Sequence, residues 1–317
     1  MKRISTIGAA LLLAARLASP AAAQVHHKVI YGSDDRIDLY QTDSKVLKSL
    51  ADSTVALFQG ADVKADGGVA QLTTQNYGER MGLCKEEPFF EQPMGAFCSG
   101  SLVAPDVIMT AGHCVPSAEE CAAIKFVFGF AVKEKGKFPT AVPSGEVYGC
   151  KELIGRAQVN DGADWALVRL DRKVSGHKAL KLNQSGAIKV GAPVLVIGHP
   201  AGLPTKIAGG ANVRDASKPG FFVANLDTYG GNSGSAVFNA ETGLVEGILV
   251  RGEQDYTYNG TCRVSNVCAN DACRGEDVTK IANVADKIPS ALHRARIAEL
   301  EPRIADVLAA LNVESRP

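Results

Sequence analysis

Apolar residues in this chain come in short runs, and that spacing constrains the fold more than any other feature. Ser53-Thr54-Val55-Ala56-Leu57-Phe58, Val107-Ile108-Met109, Phe126-Val127-Phe128, Ala166-Leu167-Val168, Val194-Leu195-Val196-Ile197 and Gly247-Ile248-Leu249-Val250 are each a few residues long. Gly, Pro and small polar residues separate them, notably over 63–68 and 139–149. Closely spaced strands with frequent turns build sandwiches and barrels, so an all-β fold is expected. The tail is the exception. There Leu292, Ile297, Leu300, Ile304, Val307 and Leu311 recur at mostly three- and four-residue spacing beside Arg294, Arg296, Glu299 and Arg303. This is an amphipathic helical pattern, which Pro302 should kink or split. Its polar face mixes both signs, so it is expected to cover core and not to lie on a membrane.

The first residues indicate the compartment. Lys2 and Arg3 precede an apolar stretch from Ile7 to Ala18, interrupted by Arg16, and Ala21-Ala22-Ala23 supplies small residues ahead of a cut. Residues 1–23 therefore read as a secretory signal peptide cleaved before Gln24, and 24–28 as a short pro-segment that trimming after Lys28 would remove. The apolar stretch falls short of the roughly 20 residues that span a bilayer, so no membrane insertion is expected once the signal is gone. The 34 basic and 34 acidic residues of the full chain cancel, and losing Lys2, Arg3 and Arg16 leaves 31 against 34. Nothing in that balance attracts a polyanion, which excludes nucleic acid as a default partner. In an exported chain the eight cysteines read as bridges that staple a core and not as reactive thiolates. No His/Cys spacing matches a zinc site, so no metal and no cofactor is expected.

Three segments carry chemistry. In the first, Phe97-Cys98-Ser99-Gly100-Ser101-Leu102 is followed by Val107-Ile108-Met109-Thr110-Ala111-Gly112-His113-Cys114. Imidazole relays protons at neutral pH, and a strand ending just before His113 would fix the ring while leaving one nitrogen accessible. A Cys98 to Cys114 bridge would clamp the histidine loop onto the preceding strand. The second, Asp161-Gly162-Ala163-Asp164-Trp165-Ala166-Leu167-Val168-Arg169-Leu170, puts a carboxylate at the mouth of an apolar strand. Burial obliges such a group to find a hydrogen-bond partner, and an imidazole N–H is suitable. Asp164 is the candidate and Asp161 the alternative; Asp161 and Asp171 flank the same strand and read equally as turn or edge residues. The third is Asp227-Thr228-Tyr229-Gly230-Gly231-Asn232-Ser233-Gly234-Ser235-Ala236-Val237-Phe238. Glycines around Ser233 let the backbone turn tightly and let the amides of Gly231 and Ser233 approach a developing oxyanion. Alone, such a segment is equally a hairpin turn; its weight comes from the other two. The order His113, Asp164, Ser233 disfavours an α/β-hydrolase, which needs Gly-x-Ser-x-Gly and a later histidine.

At these residues the chain resembles the chymotrypsin-fold serine proteases, whose motifs stand here in the family's order as Thr110-Ala111-Gly112-His113-Cys114, Asp164 to Leu170, and Gly231-Asn232-Ser233-Gly234-Ser235. The resemblance covers 29 to 252. It looks most like the bacterial secreted branch related to glutamyl endopeptidases, where Val29-Ile30 and Asp34-Asp35-Arg36 also find matches. It implies two six-stranded antiparallel barrels within 29–275 and a helical tail over 276–317. His113 and Asp164 would come from the first barrel and Ser233 from the second. The implied activity is a serine endopeptidase cutting protein or peptide substrates through an acyl-enzyme; the alternative is a catalytically silent binding protein on the same fold. Trypsin has an aspartate directly before the nucleophile, whereas this chain has Asn232, so activity is not expected to depend on a buried N-terminal amine. Asp227, Thr228, Val250 and Gly252 are implied to line the primary pocket. Asp227, six residues before Ser233, points to basic substrates, and Leu249 stands where the glutamyl branch has a histidine, which disfavours glutamate. His199 in Gly198-His199-Pro200 reads as a turn residue. Among Cys84, Cys121, Cys150, Cys262, Cys268 and Cys273 the pairing stays open, Cys121 with Cys150 being one suggestion, and the oligomeric state is not readable.

Overall fold

β-Branched and aromatic residues suit a pleated, buried surface, and each of the short apolar runs contributes to a strand. In the computed structural model, which describes residues 29–185 and 187–289, six strands close a first barrel. They are Thr54–Gln59 (β1), Cys98–Ala104 (β2), Val107–Thr110 (β3), Ile124–Val127 (β4), Val147–Gln158 (β5) and Asp164–Leu170 (β6). Every pairing is antiparallel, and the circular order is β1-β2-β3-β6-β5-β4. Pro193–Gly198 (β7), Lys206–Asp215 (β8), Phe221–Ala224 (β9), Ala236–Asn239 (β10), Val245–Arg251 (β11) and Glu276–Lys280 (β12) form a second antiparallel barrel, closed by β7 with β8. Its order β7-β8-β9-β12-β11-β10 repeats the topology of the first. The expected all-β double barrel is what forms. The signal peptide, the 24–28 segment and the residues of the amphipathic tail pattern lie outside the described residues. One boundary moves: Glu276–Lys280 belongs to the second barrel, which therefore runs past residue 275.

Side-chain alternation explains why the runs are continuously apolar. Along β7, Val194 and Val196 pack with Phe222, Leu249 and Val278 from the other strands of the second barrel. Their neighbours Leu195 and Ile197 join Leu57, Ile108 and Leu167 of the first barrel in one shared cluster. With a side-chain period of two, one strand thus buries both faces, one in its own barrel and one against its neighbour.

Four disulfides are formed: Cys98–Cys114, Cys121–Cys150, Cys84–Cys262 and Cys268–Cys273. They fit an extracellular, oxidising setting. Among the described residues no helix is long and apolar enough to cross a membrane.

A histidine that the sequence does not single out joins three segments of the first barrel. His177 stacks on Phe128, with ring centroids 4.3 Å apart. Its Nδ1 lies 2.9 Å from Asp52 Oδ2 and its Nε2 2.7 Å from Glu146 Oε2. Burial opposes protonation, but the two carboxylates outweigh it and hold the imidazole pKa above its ordinary value. A pKa raised in the folded state means stabilisation that is complete below the unfolded value, about 6.5, and lost as pH rises through the folded one. The melting temperature of wild type should therefore exceed that of His177→Asn most at pH 5 to 6, with the gap narrowing toward pH 9. A gap independent of pH would remove the imidazolium from the account.

Candidate active site

The histidine segment is fixed by the strand before it and the bridge behind it. β3 ends at Thr110, a short 3-10 turn covers Gly112–Cys114, and the Cys98–Cys114 disulfide ties that turn to the start of β2. β6 pairs with β3 and begins at Asp164, which places this carboxylate beside the turn. Asp164 is 1% exposed. Its Oδ2 lies 2.7 Å from His113 Nδ1, and its Oδ1 accepts from Gly112 N (2.6 Å) and His113 N (3.1 Å). The second barrel holds its backbone: Asp164 N donates to Thr279 Oγ1 (3.0 Å), whose hydroxyl donates to Asp164 O (2.9 Å). Burial pushes the carboxyl pKa up, yet the imidazole and the two backbone N–H groups outweigh it and hold the group below the usual carboxylate range. An ionised acceptor at Nδ1 keeps the ring proton there and leaves Nε2 as the basic nitrogen. The flanking aspartates go elsewhere. Asp161 is exposed, 3.7 Å from Lys218 Nζ, and Asp171 accepts from Gly149 N and Arg172 Nη1.

Ser233 precedes β10 in a loop packed against the histidine segment. Its carbonyl accepts from Ser99 N (2.8 Å) and lies 3.7 Å from Cys114 Sγ. Gly234 has φ +90°, and a Cβ there would collide with Ser99 O and Thr110 Oγ1. Only glycine lets the serine loop come this close to β2 and to the strand that leads into His113. Tyr229 to Asn232 form a turn closed by Asn232 N donating to Tyr229 O (3.0 Å), with Gly231 at φ +85° in the third position, the geometry of a type II turn. Gly230 O accepts from Ala201 N (2.5 Å). A trans peptide points its C=O and N–H in opposite directions, so this bond aims Gly231 N away from Ala201. Among the described residues, neither Gly231 N nor Ser233 N donates a hydrogen bond to another protein group. Asn232 is held inside its own loop, donating to Thr228 Oγ1 (2.5 Å) and accepting from Ser235 Oγ (2.7 Å).

Asp227 is buried and anchors the N-terminal segment, with Oδ1 accepting from Tyr31 N (2.7 Å) and Oδ2 from Asp35 N (2.8 Å). Burial pushes its pKa up to about 7 against those two bonds. Thr228 N meets Val29 O at 3.4 Å, and Val250 is fully buried. Gly252 faces a carboxylate that the sequence reading missed: a Cβ on Gly252 would collide with the carboxylate of Glu276, a fully buried residue at the start of β12. Glu276 Oε1 accepts from Glu253 N (3.3 Å). Its neighbour Asp277 is neutralised by Arg251 (3.0 Å) and Arg274 (2.5 Å). The alternation Glu276, Val278, Lys280 carries no apolar signal that marks a barrel strand. Cys98, His113 and Cys114 cluster closely enough to suggest a metal site, but both sulfurs are consumed by the disulfide and supply no thiolate.

The profile of the trypsin-like peptidase domain matches residues 98–248, from the start of β2 to β11. Chymotrypsin-like elastase family member 3B of Homo sapiens is 35% identical over 85 residues, which is 27% of this chain and 31% of that protein. The glutamyl endopeptidase of Bacillus licheniformis is 28% identical over 150 residues, 44% of this chain and 45% of the relative. The chain thus spans less than half the length of each. Among solved structures, a Glu endopeptidase in complex with MPD covers 83% of this chain and 99% of its own, at 17% identity and a TM-score of 0.47. In its sequence matches and its double barrel the chain is similar to the chymotrypsin-fold serine proteases. Within that class the likeness extends to a glutamyl endopeptidase.

Proposed function

We propose that this protein is a secreted serine endopeptidase, exported by residues 1–23 and working through His113, Asp164 and Ser233. The observation that carries the reading is the buried, ionised Asp164 bonded to His113 Nδ1, with the Ser233 loop packed on the same turn. Ser233 Oγ attacks a peptide carbonyl while His113 Nε2 takes its proton; Asp164 stabilises the imidazolium. The amides of Gly231 and Ser233 receive the oxyanion, His113 returns the proton to the leaving amine, and water releases the acyl group by the same route. No metal or organic cofactor enters these steps. Asn232 is satisfied within its loop, so trimming after Lys28 should not be required for turnover.

Basic residues are the proposed preference. The reading rests on the buried carboxylate of Asp227, six residues before Ser233, whose oxygens also accept from Tyr31 N and Asp35 N. A panel of peptides differing only in a lysine, glutamate or apolar residue before the scissile bond tests this, with lysine expected to be cut fastest. Because the Asp227 pKa is pushed up to about 7, the carboxyl gains its charge as pH rises through that value. The ratio of kcat/KM for lysine over an apolar residue should therefore climb between pH 5 and 9. A flat ratio would remove Asp227 from recognition, and preferential cutting after glutamate would overturn the preference altogether.

A further inference from the structure

Ser99 belongs to none of the three segments' predicted roles, yet it bonds to the serine loop, to the His199 loop and to the end of the strand before His113. It is fully buried on β2, next to the bridged Cys98. Its hydroxyl donates to Gly231 O (3.0 Å) and accepts from His199 N (2.9 Å). Its backbone N–H donates to Ser233 O (2.8 Å), and its carbonyl accepts from Thr110 Oγ1 (2.6 Å), at the end of the strand that leads into His113. One residue therefore grips the carbonyls of both Gly231 and Ser233, whose amides are the two that donate to no other described protein group.

The geometry points to Ser99 as a positioning residue for the oxyanion-binding turn, acting through its side-chain hydroxyl; this rests on the serine endopeptidase reading above. The Gly231 N–H lies in the plane of the preceding peptide, and the peptide after Gly231 anchors the hinge about which that plane turns. The preceding one, 230–231, is tethered by Ala201 N on Gly230 O (2.5 Å), and the following one, 231–232, by Ser99 Oγ on Gly231 O and by its own bond to Tyr229 O. Gly231 has φ +85° and no side chain to restrict it, so its orientation depends on these external bonds. The same hydroxyl also satisfies His199 N at the base of the Pro200–Gly202 turn, whose Ala201 supplies the other tether. Ser99 Oγ is thus shared between the turn that carries the oxyanion donor and the loop that braces it. A donor aimed before the reaction stabilises developing charge without reorganising, which is where most of its effect on rate resides.

The test is Ser99→Ala in the mature enzyme, compared with wild type and Ser233→Ala on one peptide substrate. The expected result is a fall in kcat of about 10- to 100-fold with KM nearly unchanged, a smaller loss than deletion of an oxyanion donor itself. A peptide aldehyde, whose hemiacetal oxygen occupies the oxyanion position, should lose affinity by the same factor, while a non-covalent product peptide should bind as before. A purely structural role would not produce that split. Ser99→Gly leaves room for a water in place of the hydroxyl and serves if the alanine variant does not fold; it should show the same split at smaller amplitude. Either variant folded, with wild-type kcat and wild-type aldehyde affinity, overturns the proposal. Failure of both to fold also overturns it, by making Ser99 a determinant of barrel stability. An inactive wild type would instead reject the endopeptidase reading, so the two failures are distinct.

Discussion

Ser233→Ala is expected to lower kcat for peptide hydrolysis by a factor on the order of 10⁴ to 10⁶ while leaving KM close to wild type. In the proposed mechanism the Ser233 hydroxyl is the group that forms the acyl-enzyme. The substitution removes one oxygen from a loop whose position is set by backbone bonds, Ser99 N to Ser233 O and Gly234 N to Leu249 O. The fold should therefore survive, and substrate should still bind. Steady-state kinetics on the best peptide of the panel, with a thermal melt beside it, checks both halves. Loss of less than tenfold would show that another group performs the chemistry.

Asp164→Asn should follow with a loss of about 10⁴-fold in kcat at neutral pH. The aspartate accepts three hydrogen bonds, from His113 Nδ1, Gly112 N and His113 N. An amide has one acceptor oxygen, so its NH₂ group must face either the ring or the backbone donors. If the NH₂ group faces the ring, Nδ1 becomes the acceptor and the proton moves to Nε2, the nitrogen that must be basic. A stability signature accompanies the kinetic one. The Asp164 pKa is depressed in the fold, so its contribution is present above the unfolded value, about 3.9, and is lost as pH falls through the folded one. Wild type should then outlast Asp164→Asn in melts at pH 6 to 8 and lose that advantage in acid.

Much of this was legible because apolar strands and glycine-bearing turns leave local marks. The continuous apolar runs that become β3, β6, β7 and β11 are strands buried on two faces, and the glycines beside Ser233 mark a turn that nothing bulkier tolerates. What escaped was the polar interior. β12 reads Glu276-Asp277-Val278-Thr279-Lys280, and its first four residues are buried. Each polar one is accommodated by a partner far away in sequence: Thr279 by the Asp164 backbone, Asp277 by Arg251, and Glu276 by the space that Gly252 leaves. Periodicity has no access to such pairings, so sequence alone places this strand with the tail. Asp227 illustrates the same limit. Its distance from Ser233 suggests a pocket base, whereas its two bonds to Tyr31 and Asp35, almost two hundred residues upstream, leave no local mark. The His177 bridge between Asp52 and Glu146 was invisible for the same reason.

The central claim is that Ser233 is made nucleophilic by His113. Its most direct test is reaction of the mature protein with a fluorophosphonate probe, followed by mapping of the adduct by mass spectrometry. The account predicts a single phosphonylated residue, Ser233, with labelling lost in Ser233→Ala and strongly slowed in His113→Ala. Labelling that stays at wild-type rate in His113→Ala, or an adduct on a different serine in a protein that still cuts peptides, would contradict it.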